Sequence, residues 1–199
     1  MINKFYINME SVSEFNGDKY QVVCNKQNMP LKLNKDENTY MLDFEVQNKN
    51  FDLNKLMDFQ IYNLIKQVNQ DIIEDIQIIS QPNQDEIEVL FLFKRFGKNA
   101  GVPQKYLILN TIRKKTDNLI LFTSKDSSIN NIEYLQNYHA ERMKCNFAKL
   151  TVLTIKDKIR LNYLFSIDIK EDLPIYMENM IGLMMKKIFY NLKLVLDKD

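Results

Sequence analysis

Chemistry that needs a titrating base finds one imidazole here: His139 is the only histidine among 199 residues. A single histidine excludes a multi-histidine metal site. Service to a Ser or Cys nucleophile would call for a nucleophile-elbow pattern, and the sequence has none. His139 also falls within a strand expected over Tyr138–Phe147, which makes it a structural side chain. Carboxylates are adjacent at Glu74-Asp75 and at Glu171-Asp172, beside expected turns, where water surrounds them; general acid/base work needs burial. Cys24 and Cys145, the only cysteines, are too few for a disulfide scaffold or a thiolate metal site and suit a reducing compartment. Phe96-Gly97-Lys98-Asn99-Ala100-Gly101 has two glycines and no following Lys-Ser/Thr, so it is a surface loop and not a phosphate cradle. No catalytic residue, metal or cofactor is expected. An enzyme would have to draw on Tyr138, His139, Glu141 and Tyr163, which form no recognisable constellation.

The charge is uneven. Residues 1–90 hold eight basic and fifteen acidic side chains, and residues 91–160 hold fourteen and five. The basic middle suits either an anionic surface or pairing with the acidic first part inside the fold. Arg113-Lys114-Lys115 marks a hairpin tip. No aromatics interleave with it as in a base-stacking platform, so nucleic acid is not an expected partner, whereas phospholipid headgroups fit it.

These side chains need a scaffold, and 199 residues with 45% hydrophobic content suffice for one domain with a real core. The stretch Met1–Glu10 lacks the apolar core of a signal peptide, and no segment approaches the roughly 20 apolar residues of a membrane span. The expected location is cytoplasmic, with any membrane contact peripheral. After a turn at Asn16-Gly17-Asp18, strands are expected over Tyr20–Cys24 and Thr39–Val46, with Asn34–Asn38 as a loop between. In the second, Tyr40, Leu42, Phe44 and Val46 alternate with Asp43 and Glu45. Asp52 caps a helix whose apolar face runs from Leu53 to Val68. Further strands follow over Asp75–Ser80, Glu86–Lys94, Tyr106–Arg113, Leu119–Ser124, Tyr138–Phe147 and Ile159–Asp168. Pro174 then starts a long helix. Hairpin spacing, and not alternating strand and helix, predicts an α+β fold.

That last helix carries the most specific signal. Met177, Met180, Ile181, Met184, Ile188, Leu192 and Val195 form one stripe, widened by Met185, Phe189 and Leu196. Methionine is flexible and polarizable, so such a stripe either lines a surface for variable apolar shapes or fills gaps under a sheet.

In order and spacing these pieces resemble the START domain, the StAR-related lipid-transfer family. Val68-Asn69-Gln70-Asp71-Ile72 resembles the family's Trp-Asn/Asp-x-x-Ile/Val signature, with Val68 in place of tryptophan. Leu119–Ser124 resembles a strand that ends in serine, and Glu141-Arg142-Met143 its Val-Arg strand. Asp168-Ile169-Lys170-Glu171-Asp172-Leu173-Pro174, with Asn179 after it, resembles the Asp-x-Lys-Gly-x-x-Pro lead into the C-terminal helix, with Glu171 and Asp172 where the glycine would be. Gln104-Lys105 stands where many members have Arg-Asp.

The resemblance implies one domain over 1–199. Its parts are an arm and first strands in 1–50, and a lid helix over 174–198. It implies a helix-grip fold, a curved antiparallel sheet closed by the C-terminal helix around an apolar cavity that holds one sterol, phospholipid or similar lipid. The lipid contacts it suggests are Arg142 as a headgroup partner, Tyr163 and Phe165 from the last strand, and Met177, Met180, Ile181, Met184 and Ile188 from the helix. The expected partners are a lipid and, transiently, an anionic membrane surface. Relaxed ligand constraints would instead suit a START-like subunit of a larger protein assembly, with a protein partner and no lipid transfer.

Overall fold

A computed structural model describes residues 19–46, 58–95, 103–130, 132–155, 158–168 and 175–198; of residues 175–179 it describes the backbone. The turn at Asn16–Asp18, the Asp52 cap, the Phe96–Gly101 loop, Glu171, Asp172 and the Met177 side chain lie outside the described residues.

Among the described residues ten strands make one sheet: β1 (Gln21–Cys24), β2 (Leu31–Asn34), β3 (Thr39–Val46), β4 (Ile73–Asn83), β5 (Glu86–Phe93), β6 (Lys105–Lys115), β7 (Leu119–Asp126), β8 (Glu141–Arg142), β9 (Lys144–Ile155) and β10 (Lys158–Asp168). Their order is β1-β2-β3-β10-β9-β7-β6-β5-β4, antiparallel throughout, and the two residues of β8 run parallel beside β6. Two helices, α1 (Ile61–Val68) and α2 (Ile175–Leu196), pack against each other, and α2 also packs on β2 and β3. The architecture is α+β: an open curved antiparallel sheet with a long C-terminal helix.

The strands form where side chains alternate. Tyr40, Leu42, Phe44 and Val46 of β3 are buried against the helices. Asp43 and Glu45 on its other side pair with Arg160 at 2.5 Å and Lys158 at 3.1 Å. Arg113 of β6 pairs with Asp85 at 2.7 Å. Among the described residues, the basic middle of the chain thus meets the acidic first part within the fold at these ion pairs. Arg113 belongs to this pairing, and its guanidinium also lies 5.3 Å from the Phe59 ring centroid. Lys114 and Lys115 are the exposed members of the hairpin cluster.

Most strand ends differ by a few residues from the sequence expectation, and three differences are larger. Leu31–Asn34 is a strand and not a connection: it has four residues after Pro30, too few to show a period, and buries Leu31 and Leu33. β9 extends to Ile155, because Ala148, Leu150 and Val152 continue the inward alternation. His139 sits in a turn before β8 with φ 46°, a left-handed conformation in which histidine is enriched over most non-glycine residues. The predicted strand Tyr138–Phe147 is therefore shortened by this turn at its start and interrupted at Met143, between β8 and β9.

α2 is seated by its one interior glycine. A Cβ on Gly182 would stand 2.5 Å from Tyr40 Cε1 and 3.2 Å from Leu31 Cδ2. Tyr40 cannot swing aside freely, because it stacks on Phe165 at 5.1 Å between centroids. This closest approach fixes which face of α2 is inward. Met185, Ile188, Phe189, Leu192 and Leu196 are buried, whereas Met180 is 48% exposed. The buried face is therefore the Ile188–Leu192 line of the expected stripe with its Met185, Phe189 and Leu196 flank, while the opposite edge at Met180 faces outward. Replacing Gly182 by alanine gains about 1 kcal/mol of helix propensity but overpacks the seat at a cost of about 1–3 kcal/mol. Gly182→Ala should lower the urea midpoint at unchanged m-value; an increase would show that the seat yields.

Candidate functional site

α1 is a short amphipathic helix. The Asp58 carboxylate accepts the Gln60 N–H at 2.7 Å just before it, and Ile61, Tyr62 and Ile65 are buried. Its end is bolted to α2. Asn69, fully buried, donates to the Ile65 carbonyl at 2.9 Å and to the Ile188 carbonyl at 3.2 Å. Its own oxygen accepts from Asn191 at 3.0 Å, and Lys187 pairs with Asp71 on the surface beside it.

Between this helix pair and the sheet lies an apolar chamber of about 60 Å³. The helices contribute Ile61, Tyr62, Ile65, Met185, Ile188 and Phe189; the sheet contributes Phe91 and Phe93 from β5, Leu107 and Leu109 from β6, Phe122 and Ser124 from β7, Ala148 and Leu150 from β9, and Tyr163 from β10. Aromatic rings fill much of the space. Tyr163 lies 4.3 Å from Phe189 and 5.2 Å from Phe165, centroid to centroid. Tyr62 meets Phe91 edge-on at 5.5 Å. The volume is that of about two waters, well below the roughly 300–1,000 Å³ of a typical ligand pocket. A larger hollow of about 500 Å³ lies outside the barrel of side chains, lined by Asn63, Lys66, Gln67, Gln70, Ile73, Glu74 and Lys94. It opens to solvent and carries charges of both signs.

Two polar features interrupt the chamber wall. Tyr62 donates to Thr111 at 3.3 Å, and Thr111 shares a hydrogen bond with Ser124 at 2.8 Å. These three hydroxyls satisfy one another across α1, β6 and β7. The Tyr163 hydroxyl has no hydrogen-bond partner among the described residues; the side chain is half-buried and lines the chamber. Burial raises the phenol of Tyr163 well above its ordinary value, with smaller contributions from Cys145 and Tyr62. Burial also raises Tyr62, against the hydrogen bonds from Thr111 and Ser124, and pushes the Cys145 thiol up to about 12.

Of the residues singled out in the sequence, Tyr163 and Ile188 line the chamber. Phe165 backs the wall, buried between Tyr40 and Tyr163. Ile181 and Met184 are half-buried at the edge of the core and do not line it. Met180 does not line it either, because the Gly182 seat turns it outward beside the exposed Leu183.

Arg142 is elsewhere. Its guanidinium donates to the carbonyls of Ser127 and Ile129 at 2.5 and 2.6 Å, to Asn130 at 2.8 Å and to Asp126 at 3.1 Å. It anchors the segment that leads into the 3-10 helix Glu133–Asn137, where Tyr134 donates to Asp75 at 3.0 Å. The acid/base groups do not converge: Tyr138 bonds Tyr134 at 3.0 Å and Glu141 pairs with Lys105 at 2.6 Å. Among the described residues no group of three or more His, Cys, Asp or Glu could hold a metal ion, and no helix is long and apolar enough to cross a membrane. Sequence reasoning missed Tyr62 as a wall hydroxyl. Its signal was a tyrosine between the core positions Ile61 and Ile65.

No family model and no curated protein sequence matches the chain. Solved structures do. Human StAR-related lipid transfer protein 5 superposes with a TM-score of 0.70 at 9% identity, covering 95% of this chain and 90% of that one. Human STARD10 gives 0.69 at 8% identity over 98% and 80%. A STAR-related lipid transfer protein fragment from Xanthomonas axonopodis gives 0.67 at 9% identity over 91% and 100%. The chain has a START-like fold.

Within that START-like frame, the stretch resembling the family signature supplies Asn69, the bolt between the helices, and the stretch resembling the serine-ending strand supplies Ser124 in the chamber wall. Tyr163→Phe removes a hydroxyl that is unpaired among the described residues, so stability at neutral pH should hold within about 0.5 kcal/mol or rise.

At alkaline pH the sign is set by the raised values. The folded state holds these protons more tightly than the unfolded chain. Their stabilisation is complete below the ordinary thiol and phenol values and is lost as pH rises through the folded ones. The urea midpoint should fall from about pH 9 upward, and less steeply above about pH 10 in Tyr163→Phe. A parallel decline in the two proteins would contradict this.

Proposed function

We propose that this chain is a non-catalytic carrier of one lipid or similar apolar molecule, seated between the sheet and α2 with its polar end at Tyr163. The observation that carries the reading is a largely apolar chamber between the sheet and α2 with Tyr163, whose hydroxyl has no hydrogen-bond partner among the described residues, in its wall. Lipid-transfer proteins are among the structures that share the fold. A ligand that buries about 300 Å² of apolar surface gains roughly 7 kcal/mol at about 25 cal/mol per Å², which is enough to displace flexible wall side chains such as Met185. Entry would follow transient separation of α2 from the sheet at an anionic membrane, aided by the exposed Met180, Leu183 and Leu194. The compartment we propose is cytoplasmic.

One observation favours a second reading. The chamber holds only about 60 Å³, as expected for a START-like subunit of a protein assembly whose interior is simply packed. Native mass spectrometry of the purified chain, with organic extraction of the same sample, separates the two. A co-purified lipid at one per chain supports carriage. Tyr163→Phe should then bind that lipid about fivefold more weakly, the equivalent of one hydrogen bond of about 1 kcal/mol. An apo mass that is unchanged after incubation with mixed liposomes overturns carriage in favour of the assembly role.

A further inference from the structure

The turn between β1 and β2 holds two consecutive residues left-handed, Gln27 at φ 65° and Asn28 at φ 51°. The Met29 N–H closes it on the Lys26 carbonyl at 3.4 Å, the pattern of a type I′ hairpin. Asparagine tolerates this conformation; a glutamine there costs about 1–2 kcal/mol, so contacts outside the turn must hold it. Lys186 of α2 supplies them. Its Nζ donates to the same Lys26 carbonyl at 2.7 Å and to Cys24 Sγ at 3.4 Å.

Lys186 is only 4% exposed, and among the described residues no carboxylate pairs with it. A buried ammonium without a counter-ion carries a large desolvation cost. Among the described residues, Cys24 is the one group hydrogen-bonded to it that can become an anion. The charged groups acting on this sulfur are Lys186 from α2 and Lys26 from the turn, both cations. The Lys26 backbone N–H first, and then Lys186, hold the thiol below its ordinary value against partial burial. Cys24 is also half-exposed, whereas Cys145 is buried and donates to the Ser166 carbonyl at 3.6 Å.

We propose that Cys24 and Lys186 form a thiolate–ammonium pair, and that Cys24 is a modification site for hydroperoxides. In that step the sulfur attacks the terminal peroxide oxygen. The S–O bond forms, the O–O bond breaks, and its electron pair leaves with the second oxygen, which takes a proton from water. Cys24 is oxidised to the sulfenic acid and the peroxide is reduced to an alcohol or to water. The new oxygen lies beside the ammonium that fastens α2 to the hairpin, so the modification acts on the seat of that helix. This chemistry belongs to the hairpin and is independent of what the chamber holds.

The test is alkylation of the purified full chain with iodoacetamide between about pH 6 and pH 10, read by peptide mass spectrometry. Cys24 should reach half its maximal rate below the ordinary thiol value of 9.0, while Cys145 stays unmodified. Lys186→Met should move the Cys24 profile to higher pH. A thiol made about tenfold less acidic has about a tenfold smaller thiolate fraction at pH 7 and a thiolate about threefold more nucleophilic, so its rate falls about threefold. Hydrogen peroxide should give a dimedone-reactive sulfenic acid at Cys24 with the same dependence. A wild-type midpoint at or above 9.0 overturns the proposal without any variant, and superposable wild-type and Lys186→Met profiles overturn it equally.

Discussion

The fold hangs on one buried amide. Asn69 ends α1, and its side chain reaches the carbonyl of Ile188 in the middle of α2 while accepting from Asn191. Without it two helices would face each other through unpaired polar groups in a dry interior, where each lost partner costs about 1–3 kcal/mol. With it, α1 and α2 act as one lid over the sheet, and Ile61, Tyr62, Ile65, Ile188 and Phe189 meet above the chamber. The Gly182–Tyr40 contact fixes the other half of α2. The chamber is what remains between these two attachments.

Much of this was legible in the chain. Alternation in β3 and β10 marked which side chains face inward, and the order of hairpins before a long terminal helix pointed to a sheet gripped by a helix. The motif-like stretches gave the START resemblance despite identity near 9% in the structures compared, because Asn69 and Ser124 serve packing and polar satisfaction in the interior, which depend on geometry more than on neighbouring sequence.

The site was harder to read for identifiable reasons. α2 is apolar nearly all round, so periodicity cannot choose among faces 100° apart; Gly182 chooses, through a contact with a residue more than a hundred positions away. Arg142 matched a strand position, but alternation does not say what lies over a strand, and Asp126 and three neighbours of the following segment take its Nη donors, while its buried Nε has no partner among the described residues. His139 fell in a run that reads as strand but needs a left-handed turn. The size of the chamber depends on how the rings of Phe91, Phe93, Phe189 and Tyr163 interdigitate, which composition does not encode.

The ring row has an optical consequence. Tyr40, Phe165, Tyr163 and Phe189 follow one another in contact from the glycine seat of α2 to the chamber. The chain has ten tyrosines and no tryptophan, so no indole masks the tyrosine bands in near-ultraviolet dichroism or emission. Two of the phenols sit in this row, in a dry and asymmetric environment. A molecule held in the chamber would touch the Tyr163 ring at one end of this row, so near-ultraviolet dichroism and tyrosine emission would report its presence without any added label.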